Sequence, residues 1–165
     1  MSIEKIISFS YMEFDQFADL HPEDQELITT AKEAALNAYA PYSGFRVGAA
    51  IRLESGRTVR GSNVENAAFP SGICAERTAL SYSVSNFPED KAIAIAIAAM
   101  NGSEFTVSTV PPCGNCRQMI VEEELRTGKG IRVLLYGGNK ILIIEMASHL
   151  LPLQFDKETL KVYRP

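Results

Sequence analysis

The sequence predicts an α/β layer sandwich around a mixed sheet of five strands, folded as a single domain over residues 1–165. Three observations predict it. A helical period from Pro22 gives way to two strand-like runs around a turn, and helices and strands alternate from there to the end of the chain. Residues 91–99 alternate alanine with isoleucine, as a buried central strand does. A chain of 165 residues can bury roughly 70% of its unfolded surface in one core, and it shows no internal repeat or linker.

Taken in order, residues 1–20 carry Ile6, Ile7, Phe9, Tyr11, Phe14 and Phe17 without a clean period, and read as an N-terminal arm or edge strand. Glu23 and Asp24 open a helix with Leu27, Ile28, Ala31, Ala34, Ala35 and Ala38 on its apolar face, ending near Ala40-Pro41. Residues 45–53 and 58–63 form a hairpin around Glu54-Ser55-Gly56-Arg57. A loop over 64–72 leads to Cys74 and a second helix over 75–82. After the alanine/isoleucine strand, a third helix over 116–124 turns an acidic surface outward and stops at Gly128 and Gly130. Strands over 131–136 and 141–146, joined at Gly137-Gly138-Asn139, complete the five, and 147–151 is briefly helical.

Composition excludes several function classes. The charge of -4 comes from 20 acidic and 16 basic residues, with no dense basic run of the kind that tracks a phosphate backbone. Arg52, Arg57 and Arg60 read as a solvated hairpin end, so no polynucleotide partner is expected. No apolar run reaches the roughly 18 residues of a membrane span and no leader pattern opens the chain, so no membrane partner is expected and the default compartment is the cytoplasm.

The chemistry lies in two segments that hold all three cysteines, Cys74-Ala75-Glu76 and Pro112-Cys113-Gly114-Asn115-Cys116. Cys113 and Cys116 have the short chelate spacing that offers two sulfurs to one metal from one turn. Three cysteines leave one position of a zinc tetrahedron open, as a catalytic site does, and Glu76 is the base that a water there would need. Each cysteine segment falls where a loop enters a helix, whose N-terminal N–H groups favour thiolates, and Arg77 adds positive charge. Two other readings stand beside this one. A non-catalytic zinc module would close its tetrahedron with a histidine or an aspartate, although His21 and His149 show no ligand-like spacing and read as surface or satisfied core residues. A thiol redox protein would join Cys113 to Cys116 in a reversible disulfide.

Cys74-Ala75-Glu76-Arg77-Thr78-Ala79 together with Pro112-Cys113-Gly114-Asn115-Cys116-Arg117-Gln118 closely resembles the small homotetrameric cytidine deaminases of the all-cysteine ligand type. The resemblance extends to Pro41-Tyr42-Ser43-Gly44-Phe45-Arg46-Val47-Gly48-Ala49-Ala50, to Asn63-Val64-Glu65-Asn66-Ala67 and to Leu150-Leu151-Pro152-Leu153-Gln154-Phe155, and covers about residues 22 to 160. It implies a three-layer α-β-α form of the fold, and zinc held by Cys74, Cys113 and Cys116. It implies hydrolytic deamination of cytidine and deoxycytidine to uridine and deoxyuridine with release of ammonia, Glu76 serving as both base and acid. Phe45 would pack on the pyrimidine, Asn63 and Glu65 would bond the sugar hydroxyls, and the backbone at Ala75 and Ala67 would orient the base. Phe155 would complete the site of a neighbouring subunit in a homotetramer. Gly44, Pro111 and the loop Phe69-Pro70-Ser71-Gly72-Ile73 depart from the family's commoner residues, which bears on pocket shape, and a sister deaminase acting on a blasticidin-type nucleoside shares the zinc signature.

Overall fold

The alternation of alanine and isoleucine in the central strand decides which helix packs on which face of the sheet. The computed structural model describes residues 2–161, so Met1 and residues 162–165 of the expected single domain lie outside the described residues. The sheet runs in the order β1 (Met12–Phe14), β7 (Ile141–Ile144), β6 (Arg132–Tyr136), β4 (Ala92–Asn101), β2 (Phe45–Leu53), β3 (Thr58–Ser62), with β5 (Glu104–Phe105) paired to β4. It is mixed, because β4 and β6 are parallel and the remaining pairs antiparallel.

From β4, Ala94, Ala96 and Ala98 join Ala50 and Leu134 under α1 (Pro22–Leu36), which contributes Leu27, Ile28 and Ala31. Ile95 and Ile97 join Ile51, Leu53, Val133 and Leu135 under α2 (Ala75–Asn86) and α3 (Gly114–Thr127). Glycines set the heights of two helices. A Cβ at Gly48 would lie 2.0 Å from the Ala31 carbonyl oxygen, and one at Gly61 would lie 2.5 Å from the Ala79 nitrogen, so any side chain there pushes on helix backbone. Gly61 thereby seats the first turn of α2, the turn that carries Ala75 and Glu76.

Four expectations are corrected. Among the described residues the sheet has seven strands, not five: β1 and β5 span three and two residues, and exist through pairing with β7 and β4, not through any local period. The N-terminal segment is not one of the four: as expected, it gives an edge strand at β1, with residues 2–11 in no regular element. Helix α1 ends at Leu36, short of Ala40, because the chain leaves it to pair Tyr39 with Val64; the Tyr39 N–H donates to the Asn63 carbonyl at 3.1 Å, and the Glu65 N–H to the Tyr39 carbonyl at 2.8 Å. His149 is not a satisfied core residue: it stacks on Phe9 at 5.7 Å, and its buried Nδ1 has no partner among the described residues.

The acidic surface expected on α3 is the fourth correction, since Glu123 and Glu124 are both buried. Glu123 pairs through two bonds with Arg126 at 2.8 Å. Glu124 accepts from the backbone N–H groups of Ile131, Ala147 and Ser148 at 2.7, 2.8 and 2.9 Å, fastening α3 to the chain before β6 and to the 3-10 turn Ala147–Leu150. Glu124→Leu strands two buried donors and one part-buried donor and is expected to cost about 3 kcal/mol, read as a lowered urea midpoint.

Candidate metal centre and active site

Cys74 and Cys113 are the residues immediately before α2 and α3, and Cys116 lies in the first turn of α3. Two helix N-termini therefore converge on one point, each bringing unpaired N–H groups and a positive dipole end. The Cys74 and Cys113 sulfurs are 3.9 Å apart and those of Cys113 and Cys116 3.5 Å apart, with all three within 4.8 Å of one another. Zinc–sulfur bonds of about 2.3 Å in a tetrahedron require sulfur–sulfur edges of about 3.8 Å, so the donor set fits this metal. Among the described residues, neither His21 nor His149 joins this group.

Electrostatics points the same way. Burial pushes the Cys116 thiol far above its ordinary range, and the charges of Glu76 and the other sulfurs push it further. Burial raises Cys74 as well, helped by Glu76 and Cys113 and opposed by its contact with Cys116. At Cys113 burial also raises, but the Cys116 N–H, the neighbouring sulfurs and the Asn115 N–H outweigh it, and the thiol is lowered. Three adjacent thiolates are thus unfavourable alone, and a divalent cation is what stabilises them together.

Glu76 is 5% exposed yet borders a cleft of about 380 Å³ that Cys74 and Cys113 also line. Burial raises its carboxyl, opposed by its own backbone N–H and by Cys116, so the group tends toward a proton carrier. Phe45, Asn63, Glu65 and Ala75 line the same cleft. Arg77, Ala67 and Phe155 do not; Phe155 is 57% exposed, with its carbonyl accepting from Gln118 Nε2 at 2.8 Å.

Two of the lining residues are already engaged by their own chain. The Asn63 side chain accepts from the Val47 N–H at 2.7 Å and donates to the Phe45 carbonyl at 3.0 Å, which clamps the start of β2 and leaves one donor and one acceptor site free. Glu65 accepts from the Ser43 hydroxyl at 2.5 Å and from the Tyr42 N–H at 2.8 Å. These bonds, the hydroxyl's first, hold its carboxyl below the usual 4.5. With the folded value depressed, the carboxylate's support of the 42–43 turn is complete above the ordinary range and is lost as pH falls through the depressed value. Ser43→Ala is expected to move the Glu65 titration upward, read by carboxyl-carbon NMR, while an unchanged titration contradicts this origin.

Of the sequence departures that bear on pocket shape, Phe69 and Pro111 do reach the cleft, whereas Val110 and the placing role of Gly137-Gly138 escape the motif reading. Phe69, 88% exposed, lines the cleft from the 3-10 turn Phe69–Ser71, and Val110 and Pro111 line it just before the chelate loop. That loop is placed by Gly137, where a Cβ would lie 2.7 Å from the Thr109 nitrogen, and by the Gly138 N–H bonded to the Thr106 carbonyl at 2.9 Å. A Gly-Gly turn signals close backbone approach, but nothing local says to which segment.

The family model of the cytidine and deoxycytidylate deaminase zinc-binding region matches residues 21–128. The cytidine deaminase of Halalkalibacterium halodurans is 46% identical over 98 residues, covering 59% of this chain and 70% of the relative. That of Sporosarcina psychrophila is 42% identical over 99 residues, covering 59% and 68%. The crystal structure of cytidine deaminase from Burkholderia pseudomallei superposes with a TM-score of 0.67 at 38% identity, over 79% of this chain and 97% of that one.

Proposed function

The chain belongs to the cytidine and deoxycytidylate deaminase zinc-binding family, and on that premise we propose that its cleft deaminates cytidine and deoxycytidine hydrolytically to uridine and deoxyuridine, releasing ammonia in pyrimidine salvage. One observation carries the reading: of three sulfurs gathered within 4.8 Å, those of Cys74 and Cys113 border the same cleft as the buried Glu76, with Cys116 buried behind them. The cofactor is zinc, with Cys74, Cys113 and Cys116 as its ligands. Zinc supplies, when bound, a water acidic enough to act as a nucleophile near neutral pH.

Glu76 takes a proton from the attacking water and delivers it to the ring nitrogen beside the amino-bearing carbon, then takes the proton of the hydroxyl left on that carbon and gives it to the departing amine. Its burial suits this work, since a carboxyl in apolar surroundings holds a proton more readily than one in water. Arg77 and the two helix N-termini offset the surplus negative charge of three thiolates around a dication. Phe45 packs on the pyrimidine, the Ala75 backbone orients the base, and Asn63 and Glu65 bond the sugar with the sites their own clamps leave open.

We read residues 1–165 as one three-layer α-β-α domain in a cytoplasmic homotetramer. Phe155, exposed and outside its own chain's cleft, reaches a neighbouring subunit's site in that assembly. Among the described residues no helix is long and apolar enough to cross a membrane. The substrate is a free nucleoside, in keeping with the net charge of -4 and the absence of a basic stripe. Incubating the zinc-loaded protein with cytidine, deoxycytidine, deoxycytidylate and a cytosine-bearing single-stranded oligonucleotide, and following absorbance, tests this. Both nucleosides are expected to turn over and the oligonucleotide to persist; oligonucleotide turnover without nucleoside turnover contradicts it.

A further inference from the structure

The residues directly after the last cysteine do not face the cleft, yet both are committed to one distant segment. Arg117 donates from Nε to the Pro112 carbonyl at 2.8 Å and from Nη1 to the Leu150 carbonyl at 2.9 Å. Gln118 donates from Nε2 to the Phe155 carbonyl at 2.8 Å. The first Arg117 bond closes the chelate loop on itself, since Pro112 precedes Cys113 and Arg117 follows Cys116. The other two bonds hold residues 150–155 at both ends.

Between those two tethers the chain forms an arch. Leu150 and Leu151 pack against the core beside α2 and α3, while Leu153 sits at φ 57°, a left-handed conformation that a leucine adopts only under constraint, and is 91% exposed. An exposed leucine with so few contacts cannot impose that conformation on itself. The tethers at Leu150 and Phe155 do, and both are anchored on the α3 turn that also carries Cys116.

We propose that Arg117 and Gln118 are positioning residues that couple the metal loop to the 150–155 arch, so that zinc binding orders the arch and the arch in turn tightens zinc. The inference rests on the zinc reading above. Arg117 serves the metal by fixing the Pro112 carbonyl, which sets the path into Cys113, and serves the arch through Leu150 with the same guanidinium. Arginine suits this because its rigid fork reaches two carbonyls at once, which a lysine cannot match. Reciprocity is then a thermodynamic requirement: whatever factor zinc contributes to arch order, the arch returns to zinc affinity.

Two measurements on the full-length protein test this: zinc affinity by competition with a chelator, and the rate at which chymotrypsin cuts after Leu153 or Phe155. Removing zinc from the wild type is expected to speed cleavage about tenfold or more. R117A is expected to bind zinc about 10–100-fold more weakly, to shift the thiolate-to-cobalt charge-transfer band of the cobalt form, and to be cut rapidly even when saturated with zinc. R117K is expected to fall between the two, because one donor can still reach one carbonyl, and it carries the comparison should R117A fail to fold. Q118A is expected to be cut rapidly and, by the same reciprocity, to bind zinc more weakly than the wild type, though by less than R117A because both Arg117 bonds remain. Wild-type cleavage indifferent to zinc, or R117A with unchanged zinc affinity and cobalt spectrum, overturns the proposal. No nucleoside enters these readings, so a protein that coupled zinc to its arch but left cytidine intact would sink the proposed function and leave the clasp standing.

Discussion

Glu76→Gln is expected to lower cytidine turnover by about 10,000-fold or more while zinc stays bound at one per chain. A single carboxyl is assigned every proton transfer, twice as base and twice as acid, so no second group in the proposed mechanism takes over. The isosteric amide cannot accept a proton at any working pH. The fold should tolerate the change. Glu76 is 5% exposed and its carboxyl is raised by burial, so replacing a buried acid by a neutral amide of the same shape removes no favourable desolvated charge. Turnover is read by loss of cytosine absorbance and zinc by elemental analysis. An E76Q protein that holds zinc and works at the wild-type rate contradicts the role given to Glu76.

The second large effect is expected at Cys116, which is fully buried with its sulfur 3.5 Å from that of Cys113. Cys116→Ser replaces a soft thiolate by a hydroxyl that keeps its proton and reaches less far, leaving two sulfurs for the metal. Apparent zinc-binding free energies of about 10–16 kcal/mol shared over four ligands give roughly 3 kcal/mol per ligand, a loss of about 100- to 1000-fold in affinity. Zinc competition reads the loss directly. Because the metal binds the folded chain, the variant should also lose most of the stabilisation that added zinc gives the wild type against heat. An unchanged response of C116S to zinc would remove this cysteine from the ligand set.

What was legible in the sequence was what depends on local pattern or on chemistry packed into a few residues. The alanine/isoleucine alternation within 91–99 announces a central strand, and the structure shows why the two residue types alternate: the small one admits α1 closely and the large one fills the space under α2 and α3. The grouping of the three cysteines followed from their spacing together with the helix starts at Ala75 and Gly114.

What was not legible depends on partners far away in the chain. β1 and β5 carry no period of their own, and Leu36 ends α1 because Tyr39 finds Val64, a residue 25 positions on. Glu124 looks like a surface acid until the N–H groups of Ile131, Ala147 and Ser148 are brought to it. Arg117 and Gln118 belong to a motif that could be read, but what they hold lies 33 and 37 residues away. Polar residues are the hardest to place from sequence for this reason: an apolar residue signals burial by its type, whereas a buried charge is explained only by the donors that surround it.

The most direct test of the central claim is zinc content measured beside cytidine turnover on one purified sample. The account predicts one zinc per chain, uridine and ammonia formed in equal amounts, and turnover that falls with zinc on chelation and returns with it. Zinc bound at one per chain with no uridine formed, or uridine formed at full rate by zinc-free protein, would contradict it.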